Sequence, residues 1–273
     1  MLKYSKYSNK KIHENLYISK PIKDQTLKDT NHVLVRLPDS KKLITDVILS
    51  FDGQNLFDKE ASYYGIIFNL EKLLREAEND QKKNILVIAL SSNSQRQIQY
   101  NPYPRENSEV SLNHLKMINS DVIPSVLKNF NLDISGSKKH VLGASMGALM
   151  AIKFSIVNSD FNNVICLSPA FWFGFPGVLK DIKKLNKNTF LYLYTGKKEG
   201  HVFGDHVKNI FPKEWELDFS TNDKFYVSGV NLIEKYCIKE SLQYEYSTEE
   251  EGMHNETYWG KILGKYLKNF CKV

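Results

Sequence analysis

Residues 140–150 read His140-Val141-Leu142-Gly143-Ala144-Ser145-Met146-Gly147-Ala148-Leu149-Met150. The segment contains Gly-x-Ser-x-Gly between a short β-rich run, 140–142, and a helical run, 146–157. This spacing suits a serine on a tight, strained strand-to-helix turn that exposes its Oγ above a sheet, because only small residues two positions away avoid a clash there. A plain Gly-rich turn would also contain the motif. The strand and helix around it favour the first interpretation and predict that Ser145 is a nucleophile.

Short β-rich runs alternate with amphipathic runs on both sides of this motif. The predicted strands are 33–37, 47–51, 85–90, 140–142, 164–167, 190–194 and 243–246, and the predicted helices are 61–78, 112–130, 146–157, 230–239 and 257–270. This alternation predicts an α/β fold with a mostly parallel central sheet and helices on both faces. No helix separates the first two strands, so we expect the sheet to start antiparallel. Ligands of such sheets bind beyond the carboxyl ends of the strands, which places the chemistry in the loops after Phe51, Leu142, Tyr194 and Tyr246.

Composition limits the classes of protein that fit. The 273 residues are 42% apolar and 25% charged, and no repeat or flexible linker divides them, so we expect a single domain, 1–273. The formal charge of +6 comes from lysines scattered among acidic residues, which argues against a nucleic-acid partner. No apolar stretch is long enough to cross a bilayer and residues 1–6 lack a signal-peptide core. We therefore expect no membrane partner and a cytoplasmic location, although a mature exported form would look the same.

Cysteine and histidine spacing gives no sign of a bound metal. The three cysteines, Cys166, Cys237 and Cys271, match no disulfide framework or zinc site. Cys166 lies in an apolar run, which predicts a buried free thiol and suits a reducing compartment. His201 and His206 resemble a loose metal cluster, but no third and fourth ligand is apparent. We expect neither a metal ion nor a cofactor.

A second motif follows the strand 47–51 and reads Asp52-Gly53-Gln54-Asn55. Where a Gly-x-Ser-x-Gly serine acts in an α/β sheet, an early strand-to-helix loop supplies one oxyanion-hole N–H and the residue after the nucleophile supplies the other. We therefore assign the backbone amides of Gln54 and Met146 as the two donors. Taken alone, the motif also fits an ordinary surface turn.

The order of residues along the chain restricts the choice of general base. In this architecture the serine comes first, then an acid, then a histidine. Of the seven histidines, only His201, His206 and His254 follow Ser145. His254 lies after a predicted strand and just before the last predicted helix, which is where the base belongs, and we assign it that role.

The acid is expected in the loop that follows strand 190–194. Glu199 lies shortly after the end of that strand and is our choice, while Asp205, further along the same loop, is the rival. The acid holds the imidazole in one tautomer and stabilises the imidazolium, and either carboxylate suits that role.

Several segments resemble the "Putative esterase" family, which includes enterochelin esterase, esterase D and related acyl esterases. They are, in chain order, 52–57, 93–96 with 100–102, Gly143–Gly147, Leu167-Ser168-Pro169-Ala170-Phe171-Trp172, 196–199, and His254-Asn255-Glu256 with Trp259. The resemblance spans about residues 30–262. It departs in two places: at the turn around Ser145, which we call the nucleophile elbow, Gly147-Ala148 replaces the glycine pair of many relatives, and between Glu199 and His254 the chain carries a longer, more aromatic segment. It implies an α/β-hydrolase fold and a serine esterase that cleaves a small-molecule carboxylic ester through a Ser-His-acid triad and an acyl-enzyme.

Two residues are candidates for substrate binding. A guanidinium can bind an oxygen or a carboxylate through two hydrogen bonds, so Arg96 can hold a substrate at the mouth of the site. Alternatively, Arg96 is a structural residue that fixes the loop 100–103. Trp172, at the strand end after the elbow, is the second candidate. The aromatic residues near 211–226 belong to a candidate pocket-lining insertion at about 200–228, and they can equally pack a loop onto the core.

Two other functions use the same framework. An acyltransferase would have the same catalytic residues and would differ only in whether water or another alcohol releases the acyl group. A non-catalytic binding protein on this fold would lack a member of the triad. A nucleophile, a base and two candidate acids are all present, so we expect an esterase. The acyl and alcohol groups of its substrate depend on pocket shape and stay open.

Overall fold

The computed structural model describes residues 2–9, 11–23, 27–39, 43–81, 83–104 and 108–270. The strands of these residues are β1 (Tyr4–Lys6), β2 (Leu16–Ser19), β3 (Ile22–Lys23), β4 (Thr30–Asn31), β5 (Val33–Arg36), β6 (Asp46–Ser50), β7 (Ile85–Leu90), β8 (Lys138–Ala144), β9 (Asn163–Leu167), β10 (Phe190–Gly196) and β11 (Gln243–Glu249). Their α-helices are α1 (Leu70–Gln81), α2 (Arg96–Gln99), α3 (Ser108–Met117), α4 (Ile123–Phe130), α5 (Met146–Val157), α6 (Phe171–Gly174), α7 (Gly177–Ile182), α8 (Asn222–Lys239) and α9 (Glu256–Phe270).

Nine strands form the main sheet in the order β1-β2-β5-β7-β6-β8-β9-β10-β11. The pairs from β1 to β7 are antiparallel, and every pair from β7 through β6 to β11 is parallel. Strands β3 and β4 pair separately as a small antiparallel sheet. The predicted α/β fold, with a mostly parallel sheet and an antiparallel start, is confirmed.

Helices cover both faces of the sheet, as the alternation predicts. Along β6, Val47 and Leu49 point into one apolar cluster and Ile48 points into the other, because successive side chains of a strand face opposite sides. The first cluster is completed by residues of α3, α4, α5, α7 and α8, and the second by residues of α1 and α9. Fully burying each such side chain stabilises the fold by about 1.5–3 kcal/mol relative to exposure.

The helix predicted over 61–78 is wrong at its start, because α1 begins only at Leu70. Gly65 and Asn69 both have positive φ, 66° and 57°, which a continuing α-helix does not allow. The N–H groups of Phe68 and Leu70 donate instead to the carbonyls of Asn55 and Leu56 at 3.0 Å. Residues 61–69 are therefore a loop that is bonded to the turn after β6.

The single helix predicted over 112–130 is divided in two. A π-helical turn, Ile118–Val122, joins α3 to α4. Pro124 lies in the first turn of α4 and has no N–H for the regular helical bond, and its ring excludes the usual position of the carbonyl four residues earlier. A local widening to π geometry is a common response to such a mismatch.

Two cysteines are described, and both are buried free thiols, as predicted for Cys166. Burial raises the pKa of Cys166 and of Cys237, which keeps both thiols protonated. Cys271 lies outside the described residues. Among the helices of the described ranges, none combines the length and the apolar character needed to span a bilayer.

Candidate active site

Ser145 lies on the turn between β8 and α5, with φ of 56° and ψ of −122°. A positive φ in a residue other than glycine costs about 1–3 kcal/mol and persists only where the surrounding structure enforces it. Here the Ser145 N–H donates to the Leu167 carbonyl at 2.9 Å, and the Ser145 carbonyl accepts from the Ala170 N–H at 3.2 Å. The strained strand-to-helix turn that the sequence predicts is present.

The Ser145 side chain lines a cavity of about 450 Å³, which we call the Ser145 cavity. It lies between the ends of β6 and β8, the loop from Asp52 to Phe68, α2, and the segment from His254 into α9. The cavity is therefore at the carboxyl edge of the parallel strands, where the sequence places the chemistry.

Gly143 is required by the elbow because a Cβ at this position would lie 2.0 Å from the Gly147 carbonyl oxygen. The added Cβ and the Gly147 carbonyl are both fixed to the backbone, so neither can move without distorting the turn. We expect Gly143→Ala to lower the free energy of unfolding by about 3 kcal/mol and the melting temperature by about 5–10 °C, measured by circular dichroism.

Gly136→Ala is the matched control, because no atom lies within 4 Å of a Cβ at Gly136. Its melting temperature is expected to stay within about 2 °C of the unsubstituted protein. Equal melting temperatures for the two variants would contradict the packing argument.

His254 and Glu199 are brought together from distant parts of the chain. The His254 Nδ1 lies 2.9 Å from Glu199 Oε2, in hydrogen-bond contact. The other Glu199 oxygen, Oε1, accepts from Ser168 Oγ and from the Gly196 N–H, both at 2.6 Å. Glu199 is fully buried, whereas Asp205 is exposed. The acid that contacts the candidate base is Glu199, the first choice from the sequence.

Parallel pairing of β10 with β11 explains how the two residues meet. The pairing ends with Gly196 opposite Glu249, so the loops that leave these strands start side by side. The Lys198 N–H donates to the Gly252 carbonyl at 2.9 Å and joins the two loops. His254 and Ser145 line the same cavity, and Glu199 contacts the His254 ring at Nδ1.

The sequence analysis gave no role to three residues that hold the acid and the imidazole, although two of them lie in segments that resemble the family. Trp259 Nε1 donates to Ser168 Oγ at 2.9 Å, and the Trp259 ring meets the His254 ring edge-on with centroids 4.8 Å apart. The Tyr226 hydroxyl donates to the Ser168 carbonyl at 2.7 Å. Burial, with a further contribution from the Glu199 charge, raises the pKa of Tyr226 well above its ordinary value, so its hydroxyl stays a neutral donor. No spacing in the chain signals these roles, because the contacts join separate loops.

The loop after β6 is held in place by a partly buried ion pair. Asp52 has a φ of 54° and precedes a 3₁₀ turn, Gly53–Asn55. Its two carboxylate oxygens each accept from Arg96, at 2.7 Å from Nε and from Nη2. The Gln54 side chain donates to Ser92 Oγ at 3.0 Å, so it is turned toward the neighbouring loop.

The two candidate oxyanion donors lie on adjacent segments. A Cβ on Gly147 would lie 3.1 Å from Asp52 Oδ2, so the loop after β6 packs against the first turn of α5. Gln54 is in that loop, and Met146 is the first residue of α5. Neither Gln54 nor Met146 is among the residues that line the Ser145 cavity. Their assigned role uses only the backbone N–H groups and stays a prediction.

The two candidate substrate-binding residues differ in position. Arg96 lines the Ser145 cavity. Its guanidinium forms an ion pair with Asp52 and lies over the Tyr100 ring, 5.2 Å from the ring centroid. Trp172 is not among the cavity-lining side chains, and it packs edge-on against Phe203 and Tyr226 with centroids 4.7 and 5.3 Å away. A role for either in substrate binding stays a prediction.

The aromatic segment at about 200–228 forms a cluster of its own. Phe219 stacks on Phe225 of α8 with centroids 4.9 Å apart, and Trp215 meets Phe175 at 5.1 Å. Phe211 contacts Trp215, Phe219 and Phe225. None of these rings is among the side chains that line the Ser145 cavity. Their contacts are those of a loop packed onto α6 and α8.

His201 and His206, the loose cluster considered as metal ligands, are exposed in the loop after β10. The His201 ring contacts the Lys198 carbonyl through Nδ1 at 3.1 Å. In the part of the chain that the structure describes, no three His, Cys, Asp or Glu side chains are grouped so that they could hold one metal ion.

The sheet order, the strained serine turn and the cavity at the carboxyl edge define a protein of the α/β-hydrolase class. The "Putative esterase" family matches residues 25–270, and the chain belongs to this family. Membership of this family supports ester hydrolysis as the activity. Comparison with curated protein sequences gives no match.

Solved structures with the same fold include three that cover almost the whole chain. BES protein from Bacillus cereus has 14% identity, 96% coverage of each chain and a TM-score of 0.66. Siderophore hydrolase EstA from Aspergillus nidulans has 16% identity, 94% coverage of each chain and a TM-score of 0.66. Enterobactin and Salmochelin Hydrolase IroE has 13% identity, covers 94% of this chain and 96% of its own, and has a TM-score of 0.64. At these identities the likeness establishes the fold.

Proposed function

We propose that this protein is a serine esterase that hydrolyses small-molecule carboxylic esters through an acyl-enzyme. The observation that carries the proposal is the 2.9 Å contact between His254 Nδ1 and Glu199, with His254 and Ser145 lining one cavity. A buried carboxylate behind an imidazole keeps the proton on Nδ1 and leaves Nε2 as the proton acceptor.

Acylation begins when the Ser145 hydroxyl attacks the ester carbonyl and His254 Nε2 takes its proton. The tetrahedral intermediate carries a negative charge on the former carbonyl oxygen, which the backbone N–H groups of Gln54 and Met146 stabilise. Removing one such donor typically costs about 3 kcal/mol of transition-state stabilisation. Met146 also begins α5, whose N-terminal dipole favours negative charge at this point.

The C–O bond of the ester then breaks, and the alcohol leaves with the proton that His254 carries. Water enters, gives a proton to His254 and attacks the acyl-enzyme, and collapse of the second intermediate returns that proton to Ser145 Oγ. Throughout, Glu199 stabilises the imidazolium form of His254. Two Arg96 nitrogens are occupied by Asp52. Arg96 is therefore better suited to a neutral substrate oxygen than to a bidentate carboxylate.

The test is a series of p-nitrophenyl esters of increasing acyl length, with release of p-nitrophenolate followed by absorbance. We expect turnover of short acyl chains that declines as the chain lengthens, because the Ser145 cavity is only about 450 Å³. Absence of turnover across the whole series would refute the proposed function. In a parallel reaction an added alcohol competes with water, and a transesterified product as the main product would assign an acyltransferase instead.

A further inference from the structure

Glu256 is a carboxyl group inside the Ser145 cavity that the proposed reaction does not use. It lines the cavity with only 7% of its surface exposed and is the first residue of α9. Its Oε1 accepts the Asn55 Nδ2 amide at 2.8 Å. The carboxyl group therefore has a fixed position beside the candidate base, His254, two residues earlier in the chain.

The Glu256 carboxyl group has no ion-pair partner among the described residues. The other charged pair of the cavity wall, Asp52 and Arg96, is joined by two contacts of 2.7 Å and is neutral overall. In the described part of the chain, no lysine, arginine or histidine forms an ion pair with Glu256. Burial raises the pKa of Glu256 and the nearby Asp52 carboxylate adds to the rise, while its own backbone N–H, His254 and Arg96 act in the opposite direction without cancelling it. A cation delivered by a ligand would relieve the cost of this buried charge.

The remaining wall of the cavity suits an organic cation. Tyr63, Tyr64, Phe68 and Trp259 line it, and ring faces attract ammonium groups. Tyr63 is held by its hydroxyl, which donates to the Asn93 carbonyl at 3.2 Å, while Tyr64 is 82% exposed at the mouth. An anionic group in the same place would lie near the Glu256 carboxylate and be repelled by it.

Asn55 links the carboxylate to this aromatic wall. Its amide nitrogen is bonded to Glu256, its backbone carbonyl accepts from the Phe68 N–H at 3.0 Å, and its side-chain oxygen accepts from the Tyr63 N–H at 3.5 Å. One residue therefore sets the carboxylate and two of the rings relative to each other. Such an arrangement holds a binding surface ready before the ligand arrives.

We propose that Glu256 is a specificity-determining residue and that the Ser145 cavity prefers esters carrying an ammonium group, with the cation held between the Glu256 carboxylate and the aromatic wall. This inference rests on the proposed esterase function, because it concerns the ester that reaches Ser145. A purely structural role for Glu256, in which it only stabilises the start of α9 and bonds Asn55, predicts instead that substituting it changes kcat/KM equally for every substrate.

The test compares acetylcholine with its uncharged isostere 3,3-dimethylbutyl acetate, and acid release is followed in a pH-stat. For the unsubstituted protein we expect kcat/KM to be about 10-fold higher for the cationic ester. Glu256→Gln keeps an oxygen for the Asn55 amide, and we expect it to lower kcat/KM for the cationic ester about 10-fold more than for the neutral ester, which abolishes the preference. Glu251→Gln, which removes an exposed charge nearby, is the matched control and should keep the preference.

Three results would overturn the inference and leave the proposed esterase function unaffected. They are equal kcat/KM for the two esters in the unsubstituted protein, an equal loss for both esters in Glu256→Gln, or a preference retained by Glu256→Gln. If neither acetate is turned over, inhibition of p-nitrophenyl acetate hydrolysis by tetramethylammonium decides the question. Competitive inhibition that weakens in Glu256→Gln supports the cation site, and absence of inhibition refutes it. Failure of the p-nitrophenyl series itself is the separate result that refutes the esterase function.

Discussion

Ser145→Ala is expected to lower kcat for p-nitrophenyl acetate by about 10⁴- to 10⁶-fold, because no other group can form the acyl-enzyme. Residual turnover well above the uncatalysed rate should remain, since the oxyanion donors and the cavity are intact. Alanine removes only the hydroxyl, so the fold should be preserved. Steady-state kinetics together with a circular dichroism spectrum would check both expectations.

A covalent label makes the same test independent of turnover. A fluorophosphonate should add once to the unsubstituted protein at Ser145, as seen by mass spectrometry, and should not add to Ser145→Ala. Ser135→Ala, a substitution of an exposed serine in the turn before β8, should be labelled and should turn over ester normally. Undiminished turnover by Ser145→Ala would end the assignment of the nucleophile.

Glu199→Gln is expected to lower kcat/KM by about 10²- to 10⁴-fold. A glutamine oxygen can still accept from Ser168 and from the Gly196 N–H, so the acid turn should keep its shape. Its amide would donate to His254 Nδ1, which moves the imidazole proton to Nε2 and leaves no acceptor for the Ser145 hydroxyl. The loss should appear mainly in kcat, measured on the same short-chain ester.

The rival acid provides the matched control for this substitution. Asp205 is exposed, and the Asp205 atom that accepts from Asn222 is its backbone carbonyl, so Asp205→Asn should change kcat/KM by less than about 3-fold. Loss of activity in Asp205→Asn alone would mean that the wrong carboxylate has been chosen.

Local sequence patterns were sufficient for the parallel part of the main sheet, although β1 and β2 at its antiparallel edge were not predicted. The continuous apolar run 85–90 predicts a strand buried on both faces, and β7 has those bounds. The Gly-x-Ser-x-Gly segment predicts both the end of a strand and a helix from 146 to 157, which α5 matches. Side-chain periodicity and glycine sterics act over a few residues, so they can be read without knowing the rest of the fold.

The loop 61–69 shows where local patterns fail. Ile66 and Ile67 continue the apolar spacing of α1, yet Ile66 is in the wall of the Ser145 cavity. Backbone bonds to residues 55 and 56 replace the helical bonds there. Helical periodicity does not indicate a hydrogen bond to a distant turn, so only the three-dimensional structure shows that this stretch is a loop.

The choice between Glu199 and Asp205 also depended on the three-dimensional structure. Both carboxylates occupy the same loop and have the same chemistry, so order along the chain leaves them equivalent. The parallel register of β10 with β11 sets the His254 loop beside Gly196, and only Glu199 then lies buried and within hydrogen-bond distance of the imidazole. Local interactions specify strands, helices and turns, whereas the register between strands far apart in sequence decides which side chains share a site.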